Sequence, residues 1–166
     1  MANFTTIPGF VIRAAADSDL PVILSFINKL ADYEKLSHEV TATEELLRET
    51  LFGARPTAEV AIGYFGGKPV GFVLFFHNYS TFLARPGLYI EDLFVDEAYR
   101  RRGFGRALLL HVARLARERQ CGRLEWAVLD WNEPAINFYK KLGAVPMDEW
   151  TVFRVTGAAL EQLSWA

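Results

Sequence analysis

Residues 92–109 constrain the fold most, because an apolar strand, a glycine-containing turn and a basic helix start follow one another without a break. The first N–H groups of a helix lack intrahelical partners, and the helix dipole adds partial positive charge there. Gly103 and Gly105 remove side chains that would hold an anion away from the backbone. The segment therefore predicts a phosphate-binding turn that holds a diphosphate at a helix N-terminus.

Arginines surround this turn, and their planar guanidinium groups donate in pairs to phosphate oxygens. They are Arg100, Arg101, Arg102 and Arg106. The pattern is R-x-x-G-x-G; it lacks the G-x-x-x-x-G-K-[ST] of nucleotide triphosphatases and the third glycine of the dinucleotide fingerprint. The spacing alone also fits a basic helix start that binds no ligand.

Composition excludes several classes of protein. With 166 residues, 51% of them hydrophobic, we expect one globular domain over 1–166. The net charge of −2 gives no reason to expect nucleic acid or an anionic membrane as the partner. Three scattered histidines predict no metal site. The single Cys121 indicates a reducing compartment, and no signal peptide or long apolar run is evident, so we expect a cytoplasmic location without a membrane span.

Hydrophobic periodicity and turn signals predict a mixed α/β (α+β) domain. A first strand over 10–14 precedes a helix capped by Asp17 or Ser18. A capping-box pattern over 41–44 then opens a second helix that runs to about residue 52. β-rich runs over 59–65 and 69–76 are separated by Gly66-Gly67-Lys68, a hairpin signal; a loop over 78–87 and a strand over 88–95 follow. After the glycine-turn helix come a strand at 124–129, a helix from Asn132, a last strand at 150–155 and a short C-terminal helix. The predicted order is β-α-α-β-β-β-α-β-α-β.

The motifs together resemble the GNAT superfamily of acetyl-CoA-dependent N-acetyltransferases over about 11–155. The resemblance is carried by the strand at 88–95, the R-x-x-G-x-G turn at 100–105, Asn132 after a strand, and the Asn-Phe-Tyr at 137–139. The segments ADYE at 31–34, EDLFV at 91–95 and DWNEPAINFYK at 130–140 are similar to those of diamine (spermidine/spermine) N-acetyltransferases. The family fold is a mostly antiparallel central sheet flanked by helices.

The resemblance implies acetyl-CoA as co-substrate and no metal. The strand before the turn is expected to pair with the pantetheine arm and to supply an N–H to the oxyanion, and the turn is expected to hold the diphosphate. The implied cofactor contacts are Leu93, Phe94, Val95, Arg100, Arg101, Arg102, Gly103, Phe104, Gly105, Arg106, Asn132, Pro134 and Ala135.

Two residues are implied in catalysis. Tyr139 matches the general acid that protonates the departing thiolate, although its register with Ile136 and Leu142 also suits core packing. Glu91 matches a residue that contacts the cationic amine or takes its proton through water. Asn132 has a second possible role as a helix cap. Direct transfer is expected, without an acyl intermediate on Cys121.

The implied amine site is rich in carboxylates, any of which could instead be a solvated surface charge. Its members are Tyr33, Glu34, Glu91, Asp92, Glu125, Trp126, Ala127 and Glu149. In a regular strand Glu91 and Asp92 point to opposite faces, so one of them is expected to face the cleft. The segment 144–149 is shorter than in the polyamine enzymes, which leaves the role of Glu149 open.

Three functions remain compatible with the residues. The first is N-acetylation of a small diamine, polyamine or lysine analogue in a ternary complex. The second is acetylation of a protein lysine or N-terminus, and the third is a CoA-binding sensor without turnover. The resemblance also implies a homodimer.

Overall fold

The computed structural model describes residues 3–4 and 6–165. The chain divides into two compact units, one ending at Ala127 and the other beginning at Val128, and each is described by itself. The expectation of one domain over the whole chain stays a prediction.

The first unit contains a six-stranded sheet whose spatial order follows the chain. All neighbouring strands are antiparallel except the last pair, which is parallel. The strands are β1 (Asn3–Phe4), β2 (Phe10–Ala14), β3 (Glu59–Phe65), β4 (Lys68–Ser80), β5 (Arg85–Val95) and β6 (Leu124–Trp126). The mostly antiparallel mixed sheet confirms the predicted fold class.

Three helices accompany this sheet: α1 (Leu20–Glu34), α2 (Glu44–Phe52) and α3 (Phe104–Glu118). The predicted apolar stripe of α1 is confirmed, since Ile23 and Phe26 are buried in one cluster with Phe72 and Phe94 of the sheet. The predicted second helix is confirmed, but its cap is Thr43, which accepts a hydrogen bond from the N–H of Leu46, and not Thr41, which the capping-box pattern over 41–44 implied.

Helix α3 has its own apolar core. Its first residue, Phe104, stacks on Phe10 of β2 with the ring centroids 4.2 Å apart. Leu108 and Val112, one and two turns further on, are fully buried. This packing fixes the N-terminus of α3, and with it the glycine turn, beside the end of the sheet.

Two hairpins shape the middle of the sheet. The predicted hairpin is confirmed: Gly66 and Gly67 form the turn between β3 and β4, and Lys68 already belongs to β4. Both glycines have positive φ, as a turn that matches the strand twist requires. The predicted loop over 78–87 is too long: β4 and β5 continue pairing through Ser80 and Arg85, and only the turn at 81–84 lies between them. Polar residues and Pro86 suggested a loop, but cross-strand pairing overrides that local preference.

Strand β6 is shorter than predicted. It pairs with Leu88, Tyr89 and Ile90 of β5 and ends at Trp126, so the predicted continuation to residue 129 is wrong. Over 91–95, β5 therefore has no strand partner on its β6 side among the described residues. Unpaired strand backbone is available to an extended ligand.

The second unit contains two helices, α4 (Glu133–Lys141) and α5 (Gly157–Ser164). Asn132 caps α4 and accepts from the N–H of Ala135 at 3.4 Å, which confirms the predicted cap. The predicted strand over 150–155 is wrong, because these residues join no sheet and Val152 and Phe153 are exposed. β-branched and aromatic side chains raised the local strand preference, but a strand also needs a pairing partner. In the described part of the chain, no helix has the length and apolar character to cross a bilayer.

An ion pair between the buried Asp19 and the partly exposed Arg13 holds the start of α1. Asp19 is only 6% exposed and receives two hydrogen bonds from Arg13, at 2.7 and 2.8 Å, and a third from Tyr64 at 3.1 Å. Asp19 also accepts from the N–H of Ala16, so it, and not the predicted Asp17 or Ser18, organises this helix start. The Arg13 guanidinium is the main reason that the pKa of Asp19 falls to about 2.

We expect Asp19→Asn to destabilise the chain by about 2 kcal/mol at neutral pH, since the pKa depression alone corresponds to roughly that free energy. The folded-state pKa is lowered, so this stability is present above pH 4 and is lost as the pH falls through 2. Urea unfolding at pH 7 and pH 3 measures the effect. Asp17→Asn, at an exposed ion pair with Arg48, is the control and should cost less than about 0.5 kcal/mol. Equal effects of the two substitutions at pH 7 would contradict the assignment.

Candidate active site

The predicted glycine turn is formed at the end of β5. After Val95 the chain makes a single 3-10 turn over Glu97–Tyr99 and enters α3 through Gly103, which has φ +83°. Gly103 accepts the first helical hydrogen bond, from Ala107, and has no side chain to cap the N–H groups that follow. These donors and the helix dipole make the turn suitable for an anion, and the residues present therefore fit the diphosphate of acetyl-CoA.

The arginines of the turn differ in their surroundings. Arg101, which has positive φ, and Arg106 are exposed beside the helix start. Arg102 lies over the rings of Phe65 and Tyr99, at 5.7 and 5.6 Å. Arg100 turns away from this group: its Nε donates to the carbonyl of Val95 and its guanidinium lies over Tyr33. Three of the four predicted phosphate contacts thus remain beside the turn.

A β-bulge interrupts β5 just before the turn. Ile90 pairs with Phe75 and Asp92 with Leu74, so Glu91 is an extra residue on β5. The expectation that Glu91 and Asp92 face opposite sides assumed a regular pleat, and that assumption is wrong. The bulge exposes Glu91 and leaves Asp92 half-buried.

Two carboxylates, Glu91 and Glu34, act on a third, Asp92, at this bulge. Burial raises the pKa of Asp92 to about 6, with further repulsion from Glu91 and Glu34. Burial also raises the pKa of Glu34, at the end of α1. Glu34 is thus brought electrostatically close to Asp92 although 58 positions separate them in the sequence. The arrangement favours a cation, because a positive charge would relieve the repulsion and lower the raised pKa of Asp92.

Three further predicted residues of the amine site, Glu125, Trp126 and Ala127, lie at or next to β6. Glu125 is paired with Tyr89 in the sheet, and its carboxylate is bound by Asn78 at 2.7 Å and Arg123 at 2.8 Å. Trp126 is the last residue of β6, and Ala127 follows it at the surface. The Glu125 carboxylate is thus bonded to two side chains of the first unit, which gives it a structural role in the sheet.

The second unit contains the other predicted residues. Tyr139 is half-buried on α4, with its ring 5.1 Å from that of Phe138. Pro134 and Ala135 form the first turn of α4 after Asn132, and Glu149 is exposed beyond the helix. Their roles in binding and catalysis stay predictions.

Sequence reasoning missed two contacts near the site. Lys29 of α1 forms an ion pair with Asp96, 2.5 Å from Nζ to Oδ2, at the start of the turn. The contact of Arg100 with Tyr33 was also missed. Neither carries a local signal, since each joins residues 67 positions apart. Among the described residues, no group of three or more His, Cys, Asp or Glu side chains is arranged to hold a metal ion.

This combination of a mixed sheet, a strand edge open beyond a bulge and a glycine turn at a helix start defines an acyltransferase type of fold and site. Comparison with known proteins agrees: the profile of the acetyltransferase (GNAT) family matches residues 27–144. The chain therefore belongs to the GNAT acetyltransferase family and is an N-acetyltransferase.

Several relatives are similar over nearly their whole length. An L-ornithine N5-acetyltransferase of Arabidopsis thaliana is 37% identical, over 92% of this chain and 86% of its own. A thialysine N-epsilon-acetyltransferase of Mus musculus is 38% identical, over 92% of this chain and 96% of its own. Among solved structures, an integron cassette protein from the mobile metagenome of V. cholerae superposes with a TM-score of 0.80 at 26% identity, over 95% of this chain and 99% of its own.

Gly103→Ala should weaken CoA binding by about tenfold and destabilise the chain by about 1 kcal/mol, because a side chain is strained at positive φ and would stand before the helix N–H groups. Its Cβ would also lie 3.3 Å from Ile7 Cδ1. Isothermal titration with CoA measures the affinity. The control is Gly67→Ala, at a similar φ of +78° with open space around it, which should show the backbone cost but bind CoA normally. Equal loss of affinity in both variants would contradict a special role for Gly103.

Proposed function

We propose that this chain transfers the acetyl group of acetyl-CoA to a primary amine of a small diamine, polyamine or basic amino acid. One observation supports this best: the carboxylates at the β5 bulge lie immediately before the open strand edge and the glycine turn. A cation site and an acyl-carrier site are therefore consecutive on a single strand. The names of the relatives, which act on ornithine and thialysine, point to the same class of amine.

In this proposal the first unit holds both substrates. The backbone of Leu93, Phe94 and Val95 pairs with the pantetheine arm of acetyl-CoA, and the turn from Arg101 to Arg106 holds the diphosphate. Arg101, Arg102 and Arg106 supply the positive charge. Acetyl-CoA brings the reactive thioester, and the chain's residues position and polarise it. A backbone N–H of β5 donates to the carbonyl oxygen as negative charge develops there.

The carboxylates prepare the amine. An alkylammonium has a pKa near ~10.4, so at neutral pH only about one molecule in a thousand carries the lone pair needed for attack. Glu34, Glu91 and Asp92 bind the cation, and Glu91 or Asp92 accepts its proton directly or through water. Because the pKa of Asp92 is about 6, the group is ionised at neutral pH and is a better base than an ordinary aspartate.

Transfer then proceeds in one complex. The amine nitrogen forms a bond to the acetyl carbon, the carbon–sulfur bond breaks, and the Tyr139 phenol gives its proton to the departing thiolate. The nitrogen loses one proton before attack and one after it. One proton ends on CoA, by way of Tyr139, and one goes to solvent. The assignment of Tyr139 rests on the family motif at 130–140.

The test is an amine panel with acetyl-CoA, following thiol release and product mass together. Ornithine, thialysine, putrescine, spermidine and lysine cover the proposed class, and an acidic protein and a lysine-rich peptide cover the alternative. We expect a small amine to be acetylated with at least tenfold higher kcat/KM than any peptide. Acetylation of peptides alone would favour a protein acetyltransferase, and CoA binding without any product would favour a sensor.

Homodimerisation in the cytoplasm is part of the same proposal. It is supported by the family resemblance and by the large apolar side chains that the second unit exposes, among them Trp150, Val152 and Phe153. Exposed apolar area of this kind is typical of an interaction surface.

A further inference from the structure

We propose that two contacts between α1 and the loop after β5 form a positioning link, and that Arg100 belongs to this link and is not a phosphate ligand. The link consists of Tyr33 with Arg100 and Lys29 with Asp96. Through this link, binding of a diphosphate at the glycine turn fixes the position of the Glu34 carboxylate at the end of α1. The inference rests on the proposed function and adds to it a coupling between the two substrate sites.

In the first contact, Arg100 lies over aromatic rings and also bonds to the end of β5. Its Cζ lies 4.4 Å from the centroid of the Tyr33 ring and 5.8 Å from that of Phe94. Its Nε donates to the carbonyl of Val95 at 3.1 Å. A guanidinium held over an aromatic face and bonded to the strand end joins α1 to β5.

The second contact repeats the arrangement one helical turn earlier. Lys29 Nζ lies 2.5 Å from Asp96 Oδ2, and the other oxygen of Asp96 accepts from the N–H of Ala98 at 3.3 Å. The lysine is the main reason that the pKa of Asp96 is lowered. Lys29 and Tyr33 are four residues apart and share one face of α1. Their partners Asp96 and Arg100 are also four residues apart, so the two contacts bind one helix face to one loop.

The link connects Glu34, which is proposed to bind the amine, with the glycine turn, which is proposed to bind the diphosphate. Tyr33 is followed by Glu34, the last residue of α1, after which Lys35 has positive φ and the helix stops. Helix ends fray, so Glu34 would be mobile unless it is held. On the other side, Arg100 is followed by the arginines and glycines of the turn. Restraint of the turn by a diphosphate is therefore transmitted through Arg100 and Tyr33 to Glu34.

Hydrogen exchange with and without CoA tests the link independently of turnover. In the wild type, saturating CoA should slow exchange of the amides at 31–36 by about fivefold or more, since opening of the helix end is suppressed. In Arg100→Ala this protection should disappear while the Kd for CoA stays within about threefold. The control is Arg102→Ala: that arginine lies over Phe65 and Tyr99 and does not join α1, so protection at 31–36 should persist at saturating CoA.

Two other variants separate positioning from general structural damage. Tyr33→Leu should remove the protection as Arg100→Ala does, and the double variant should be no worse than either one. At saturating acetyl-CoA, Arg100→Ala should raise the KM for the amine about tenfold, and Arg100→Lys, which keeps a cation over the ring, should recover part of it.

The outcomes distinguish this inference from the proposed function. A loss of CoA affinity of about tenfold or more in Arg100→Ala, with an unchanged amine KM, would make Arg100 a phosphate ligand and overturn the link. Unaltered protection at 31–36 in Arg100→Ala would overturn it as well, while the acetyltransferase proposal stood. A wild-type chain that bound no CoA would overturn both.

Discussion

Tyr139→Phe is expected to lower kcat by about 100-fold or more, because the substitution removes the phenolic proton that the proposal delivers to the departing thiolate. A phenol has a pKa near ~10 and stays protonated at neutral pH, so it can donate as the thiolate develops. The ring is retained, so the contact with Phe138 on α4 should remain. Pre-steady-state and steady-state thiol release, with CoA titration alongside, measure the effect.

The matched control for Tyr139 is Tyr79→Phe. Tyr79 lies on β4 and is 61% exposed, so loss of its hydroxyl should leave turnover unchanged. The Kd for CoA should stay within about twofold in both variants, since neither hydroxyl is assigned to the diphosphate turn. A Tyr139→Phe enzyme with wild-type kcat would remove Tyr139 from the mechanism.

Asp92→Asn should lower kcat/KM for the amine by about 50-fold and yet make the chain more stable by about 3 kcal/mol at neutral pH. Both effects have one cause. Burial and the neighbouring Glu91 and Glu34 oppose the charge on Asp92, which is the charge that binds the amine. Removal of the charge therefore raises the free energy of unfolding and weakens binding of the amine.

The sign of the pH dependence follows from the raised pKa. The folded-state pKa of about 6 exceeds the ordinary 3.8, so the destabilisation is absent below pH 4 and is complete above 6. Thermal unfolding at pH 7.5 and pH 4 should show that the advantage of Asp92→Asn disappears in acid. The wild-type kcat/KM should fall as the pH drops through about 6, and the variant should lack that inflection. Glu97→Gln, at an exposed acid outside the site, is the control; if it behaves in the same way, the effect is not specific to Asp92.

Much of the fold could be predicted because its signals are local. The apolar stripe of α1, the start of α2 near its capping box, the glycine hairpin and the cap at Asn132 each depend on a few neighbouring residues. The glycine turn between β5 and α3 could also be predicted locally, because the strand, the turn and the helix start all lie within residues 92–109.

What could not be predicted depends on pairing between distant segments. The bulge at Glu91 arises because the pairing register of β4 and β5 shifts by one residue there, and no residue type in the sequence predicts this shift. The contacts of Lys29 and Tyr33 with the turn join residues 67 positions apart. The expected strand over 150–155 failed for the converse reason: its side chains prefer a sheet, but in the structure no neighbouring strand pairs with it.

We propose that helix N–H groups exposed by Gly103, together with Arg101, Arg102 and Arg106, hold the diphosphate of CoA while β5 pairs with its arm. A crystal structure of the wild-type chain grown with CoA tests it most directly. We predict the two phosphates at the N-terminus of α3 and the thiol end alongside residues 93–95. Phosphates bound elsewhere, or an empty turn at saturating CoA, would contradict the account.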